Sequence, residues 1–415
     1  METVTNIKPL RGKERMEILD FLRGLAILGI LLVNMSFFNS PFFMHSGDYV
    51  LWDDLPNKLT QYIIWFFWEG KFYPLFAVLF GLGFYIFLQK ADDGLRHVLF
   101  RYRMRLLYLL IFGILHVVFF WHGDILVFYA LFGFVMTWFH GRSDKTLIVW
   151  AIIFIILPII IIAALVGLIN LAMQIPEAAE GIEAGFREQN RIIQETIDRA
   201  MIVYSTGSFS EIMRMRLTEY SMVINGVLFV FPNVMSLFLA GIVLGRKKVF
   251  KDIPNALSVL KKFFWWCLPV GVILSTTYVY SMEMTSYTSL NWHMLLMVAS
   301  SLIGGPAMMF VYLYLFTLLY HKGVFGKVTQ AISKTGRMAF TNYFTQSIIC
   351  TTIFYSYGLG LYGKVNLWQG ILLAVAIYIL QVIWSHHWLK HYRFGPLEWL
   401  WRSMTYRERQ PMKRA

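Results

Sequence analysis

Arg23, Asn34 and His45 follow one another at intervals of eleven residues near the start of the chain. A guanidinium offers phosphate oxygens a rigid fork of donors. A carboxamide donates hydrogen bonds to a carbonyl, and an imidazole takes up and releases protons near neutral pH. Together they suit a group transfer in which an anionic carrier is held at one end and its carbonyl reacts at the other. Eleven residues are close to three helical turns, so Arg23 and Asn34 share one face, about 16 Å apart. Asp20 lies within about 40° of that stripe and three residues before Arg23, in reach of an ion pair. Blander readings stand beside these: an interfacial anchor for Asp20 and Arg23, a bridge between helices for Asn34, and a solvated imidazole for His45.

The stripe belongs to an apolar segment, about 18–38, long enough to cross a bilayer. Polar groups at that depth face a bundle interior or a cavity, which makes them functional candidates. The chain as a whole follows suit: 415 residues, 58% hydrophobic and only 15% charged. That composition predicts an all-α polytopic membrane bundle. Apolar segments at about 18–38, 60–88, 104–121, 125–140, 147–171, 223–245, 263–281, 293–320, 339–357 and 367–387 predict about ten transmembrane helices, the first an uncleaved span. An even number places both termini on one side. Lys and Arg gather there, in Arg96 to Arg105, Arg246 to Lys251 and Lys322 to Arg337. The positive-inside rule makes that side cytoplasmic in a plasma membrane. The net charge of +13 is therefore read as topological, and nucleic acid is excluded as a partner. Residues 171–221 form an outer segment with an amphipathic helix at 182–204, dividing a membrane half at 1–170 from another at 222–415. The tail 394–406, with Trp399 and Trp401, reads as an interfacial anchor.

Further polar residues fall inside the apolar segments. His116 follows Arg105 by eleven residues on one helix, repeating the first spacing; it lines the same cavity or bonds a neighbouring helix. Asp124 orients a histidine or caps the next helix, the cap being preferred. Glu69 and Lys71 need an ion pair or a cavity to be tolerated. Asn342, Tyr343 and Gln346 line a cavity or join helices. Gly81-Leu82-Gly83 permits close helix packing. Cys267 and Cys350 sit in apolar segments, with no disulfide framework implied. His386 and His387 point about 100° apart on a helix, so no metal pair is expected. No phosphate-binding loop, dinucleotide fingerprint or nucleophile elbow occurs.

The Leu19-Asp20-x-x-Arg23-Gly24 start resembles the transmembrane acyltransferases. Asn34 and His45 match in type and spacing the Asn and active-site His of heparan-α-glucosaminide N-acetyltransferase; in the acyltransferase-three family the residue at the place of Asn34 is a His. Most of the chain is similar to the YeiB-like family of bacterial membrane proteins. Gly113-Ile-Leu-His-x4-Trp-His-Gly-Asp-Ile-Leu-x2-Tyr129 carries that likeness, while Gly336-Arg-Met-Ala-Phe-Thr-Asn-Tyr343 and Gly395-Pro-Leu-Glu-Trp-Leu-Trp-Arg402 resemble the DUF418 domain. The acyltransferase resemblance implies an acyl-CoA donor, acetyl-CoA first among them. Its phosphates would lie near Arg23, Asp20, Arg101 and Arg105, with Asn34 on the thioester carbonyl and His45 as base or transient acyl carrier. The acceptor is expected to be a small molecule or a glycan amine or hydroxyl on the outer side. Membrane lipids are expected partners, and a homodimer is left open. Two other readings are kept: a transporter or flippase, for which Pro158, Pro232, Pro269 and Gly304-Gly305-Pro306 supply helix breaks, and a non-catalytic scaffold.

Overall fold

A computed structural model describes residues 16–45, 51–89, 94–285, 290–324 and 326–414, excepting the side chains of Phe43, His45, Asn225, Leu228 and Phe229. The described chain is helical almost throughout. In order come α1 (Glu17–Asn39), α2 (Leu55–Ile63), α3 (Phe72–Leu88), α4 (Leu95–Phe119), α5 (Leu126–Met136), α6 (Asp144–Ala172), α7 (Pro176–Thr206) and α8 (Phe209–Asn225). There follow α9 (Val227–Arg246), α10 (Ile253–Met284), α11 (Trp292–Ala299), α12 (Gly305–His321), α13 (Lys327–Arg337), α14 (Ala339–Phe354), α15 (Leu367–His391) and α16 (Pro396–Tyr406). Among the described residues, seven helical spans are long and apolar enough to cross a membrane: α1, α2–α3, α4, α6, α10, α11–α12 and α15. Shorter apolar helices at Leu126–Phe139 and Val230–Arg246, and the 16-residue α14, lie among them.

Two spans expected to be continuous are interrupted. A wide turn at Ile64–Trp68 and a break at Glu69–Lys71 separate α2 from α3, and a similar wide turn at Ser300–Gly304 separates α11 from α12. The segment 171–221, expected on the outer side, holds two helices, α7 and α8, where one was expected; Ile193 and Ile197 of α7 are buried as its amphipathic pattern requires. The short amphipathic α13 has no counterpart among the expected segments, because eleven residues rich in Lys and Thr carry little apolar signal.

α1 is the central helix. In its most apolar window 67% of residues are buried, against 11% for α10, which lies at the periphery. Close approach to α13 holds α1 in place: a Cβ on Gly336 would lie 1.8 Å from the Asp20 carbonyl oxygen, so only glycine fits. α3 and α9 cross as tightly, with a Cβ on Gly81 falling 2.0 Å from the Phe238 carbonyl oxygen, which is the role expected of that glycine.

The starts of α1, α4 and α14 meet α13 and α16 at one end of the bundle, here termed the basic end. Arg246 belongs to it, binding Asp144 at 3.0 Å and the carbonyls of His140 and Arg142. At the far end, Gly363 donates to the Asn39 carbonyl (2.8 Å), Leu367 to the Asn57 side chain (2.8 Å) and Ser356 to the Tyr204 carbonyl (2.8 Å).

Candidate functional site

A cavity of about 320 Å³ opens within the basic end of the bundle. One wall is a stripe of α1, Asp20, Arg23, Ile27 and Ile30, at the alternating three- and four-residue intervals of a single helical face. Arg105 of α4, Arg337 at the end of α13 and Arg402 of α16 add three further arginines to the lining. Beyond them the walls are apolar, with Phe76, Leu79, Phe80, Leu109 and Leu126, and the inner end reaches Ile125, Tyr129 and Tyr343. A cationic end and an apolar shaft suit an anionic head carried on a slender tail.

The charges at the cationic end are fixed by neighbours. Arg23 Nη1 donates to Asp20 Oδ1 at 2.9 Å. The Arg105 guanidinium lies 4.0 Å from the centre of the Trp401 ring, and the Trp401 indole donates to the Arg105 carbonyl at 2.9 Å. Glu398 accepts from the backbone N–H groups of Phe340 (2.8 Å) and Thr341 (3.0 Å) and from the Thr341 hydroxyl (2.6 Å). It thereby satisfies the orphan donors that open α14. The two C-terminal motifs are thus one device, since the Glu of Gly-Pro-Leu-Glu caps the helix begun by Met-Ala-Phe-Thr. The tail expected to be only an interfacial anchor is a wall of the cavity.

Of the residues singled out from sequence, Asp20, Arg23, Arg105 and Tyr343 meet on this cavity; Arg101, a turn earlier on α4, is outside its lining. Asn34 does not line it either. It is half-buried and is the next member of the α1 stripe, one turn past Ile30. One turn further, Phe38 stacks on Trp121 at 4.0 Å. The backbone of His45 closes a short helical turn, Phe42–His45, and its side chain lies outside the described residues.

His116, Asp124, Glu69, Lys71, Asn342 and Gln346 do not line this cavity; their side chains meet neighbouring helices and turns, the alternative kept open for them. His116 Nδ1 lies 2.9 Å from Asp124 Oδ2 and its Nε2 lies 2.8 Å from Ser347 Oγ, all three buried. The other oxygen of Asp124 accepts from Val127 N–H at 2.8 Å at the start of α5, the bond a helix cap makes. The helical break orients Glu69 toward the Tyr278 hydroxyl (3.0 Å), while buried Lys71 donates to the Trp65 carbonyl (2.7 Å) left open by the wide turn. Asn342 joins α14 to the Thr335 carbonyl and to Ser385, each at 3.0 Å, and Gln346 bonds Gln381 at 2.8 Å.

A polar cluster that the sequence reading passed over occupies the far end. His122 Nδ1 lies 3.2 Å from Glu219 Oε2, and Tyr204 donates its hydroxyl to the same oxygen. Arg216, wholly buried, donates to the Phe119 carbonyl at 2.8 Å and to the Tyr357 hydroxyl at 3.0 Å, closing the end of α4. Burial pushes the His122 imidazole below its ordinary pKa, while Glu219 opposes that shift. Glu219 and Arg216 are an i, i+3 pair in a segment otherwise read as solvated. The apolar Ile212, Met215 and Tyr220 around them were the signal of burial in the sequence.

Residues 244–408 match the model of a family described as "Protein of unknown function (DUF418)". The chain is 33% identical to "Uncharacterized protein YxaH" of Bacillus subtilis, over 99% of this chain and 98% of that protein. It is 29% identical to "Uncharacterized 39.9 kDa protein in amylase 3'region" of Bacillus acidopullulyticus, over 97% of each. Against "Uncharacterized protein YeiB" of Escherichia coli the figure is 27%, over 96% of this chain and 98% of that one. No solved structure matches. The cap built by Glu398, Arg337 at the cavity wall and the Trp401–Arg105 stack all fall within or against the matched region, and the chain belongs to the YeiB-like, DUF418 family of polytopic membrane proteins.

Proposed function

We propose that the protein is an integral membrane acyltransferase that takes an acyl group from a CoA thioester at the basic end and passes it to an acceptor at the far end. One observation carries this reading: the α1 stripe that lines a cavity bearing four arginines has Asn34 as its next member. In this proposal the basic end faces the cytoplasm of a plasma membrane, following the positive-inside rule. The donor's phosphates lie among Arg23, Arg105, Arg337 and Arg402, and its extended arm follows the apolar shaft. A volume of about 320 Å³ is at the small end of ligand sites, which run from about 300 to 1,000 Å³. It suits the arm and leaves the nucleotide at the entrance. The distance of about 16 Å from Arg23 to Asn34 is of the order of that arm. Asn34 would donate to the thioester oxygen as negative charge develops, a contribution of about 3 kcal/mol in comparable sites. His45, on the turn that follows α1, would meet the acceptor, a sugar amine or hydroxyl.

Thiol release from acetyl-CoA by purified protein tests the reading. Activity should be present in the wild type and strongly reduced in Asn34→Ala and His45→Ala of unchanged thermal stability. Failure of the wild type to bind any CoA thioester at millimolar concentration would discard it. One feature favours transport instead: the paired interruptions at Ile64–Lys71 and Ser300–Gly304 resemble the discontinuous helices of transporters. Small-molecule or lipid flux in proteoliposomes without thiol release would decide for that second reading.

A further inference from the structure

Two histidines precede Gly123-Asp124 at the far end of α4, and their surroundings differ at Nε2. Each presents Nδ1 to a carboxylate, His116 to Asp124 at 2.9 Å and His122 to Glu219 at 3.2 Å. His116 has its Nε2 on the Ser347 hydroxyl, while its Nδ1, like that of His122, lies beside a carboxylate without a hydrogen bond. His122 is as deeply buried, and neither of its ring nitrogens has a hydrogen-bond partner among the described residues, Nδ1 having the Glu219 carboxylate at 3.2 Å. A buried imidazole nitrogen without a partner is costly, and it is the arrangement of a base awaiting a proton.

We propose that His122, oriented by Glu219, is the base that removes the acceptor's proton during acyl transfer. The inference rests on the acyl-transfer reading and adds to it the group that takes up the proton. Its placement fits: Phe38, one turn beyond Asn34, stacks on Trp121, and the ring of Phe42 stands edge-on to His122 at 6.3 Å. The carboxylate that holds the imidazole is itself held, by the Tyr204 hydroxyl and by the Phe42 N–H at 3.4 Å. Glu219, Tyr204, Arg216 and His116 are the titratable and charged groups around the ring. The acceptor's oxygen or nitrogen attacks the thioester carbonyl while its proton passes to His122 Nε2. The carbon–sulfur bond then breaks, and the departing thiolate takes up the proton, leaving an acylated acceptor, free CoA thiol and a neutral imidazole.

Acetyl transfer to glucosamine is measured with two donors, acetyl-CoA and p-nitrophenyl acetate, the second needing no arginine clamp. His122→Gln is expected to slow transfer from both by about 100-fold or more, the scale of general-base catalysis, with acetyl-CoA affinity unchanged. Glu219→Gln should move the acid limb of the pH–rate curve to lower pH, because the carboxylate raises the imidazole's proton affinity. Wild-type rates in His122→Gln with either donor overturn the inference even if acetyl-CoA transfer itself stands. Transfer from p-nitrophenyl acetate that depends on His122, without any reaction of acetyl-CoA, retains the base and discards the CoA reading. A wild type inert to both donors overturns both. If His122→Gln does not fold, Glu219→Gln decides alone, an unmoved acid limb counting against the proposal.

Discussion

Replacing Arg105 by methionine isolates the contribution of one cavity charge to donor binding. No carboxylate among the described residues lies within ion-pair distance of Arg105, so its removal strands no buried partner charge. Methionine keeps most of the length of the aliphatic stem. What is lost within the protein is the stacking of the cation on Trp401, worth about 0.5–2 kcal/mol. What is lost toward a phosphate is a charge-assisted hydrogen bond of about 1.5–3 kcal/mol. At about 1.4 kcal/mol per decade, the Kd for a CoA thioester should rise about 10- to 150-fold. Isothermal titration of CoA and acetyl-CoA into detergent-purified protein measures this, with Arg101→Met, outside the lining, expected to stay within about threefold of wild type. The loss should shrink as salt is raised, because part of it is a screened charge interaction. Equal affinities for the wild type and Arg105→Met, or a larger effect in Arg101→Met, would refute the placement of an anionic head in this cavity.

Gly336→Ala should lower thermal stability by about 1–3 kcal/mol or more, because its Cβ meets the α1 backbone at 1.8 Å; it should also weaken donor binding, since Asp20 and Arg23 share that wall, as ligand-free and ligand-bound melting curves would show. Glu398→Ala, which removes a helix cap made of three hydrogen bonds, should cost about 1–2 kcal/mol, read by thermal unfolding. Asp124→Ala should destabilise more than Ser347→Ala, by about 3 against 1–2 kcal/mol, because Asp124 serves both a cap and His116; Ser347→Ala should keep its acyl-transfer rate. The depressed pKa of His122 means that below its unfolded value of about 6.5 the unfolded chain binds a proton that the folded chain does not. Stability should therefore fall as pH drops from about 6.5 toward 5, and His122→Gln should flatten that part of the melting-temperature profile.

The sequence by itself determined that this chain is a helical membrane bundle, and nearly where its spans lie. Apolar runs of spanning length report burial in lipid directly, residue by residue, and need no knowledge of neighbours. It also identified the stripe of α1, because helical spacing is a local property: Asp20, Arg23 and Asn34 keep the relation on the helix that counting gives them. Only the tertiary structure decided which other helices face that stripe. Arg337, Glu398, Trp401 and Arg402 come from more than three hundred residues away and reach the cavity because α13 and α16 pack onto α1 and α4. The same holds for the two histidines. His116 and His122 look alike in one dimension, each near an acid or a turn, yet one ends with its Nε2 on a distant hydroxyl and the other with no hydrogen-bond partner there. That difference was set by Ser347 on α14. Hydrogen bonding is satisfied in space, and no local pattern records which distant helix will supply the partner.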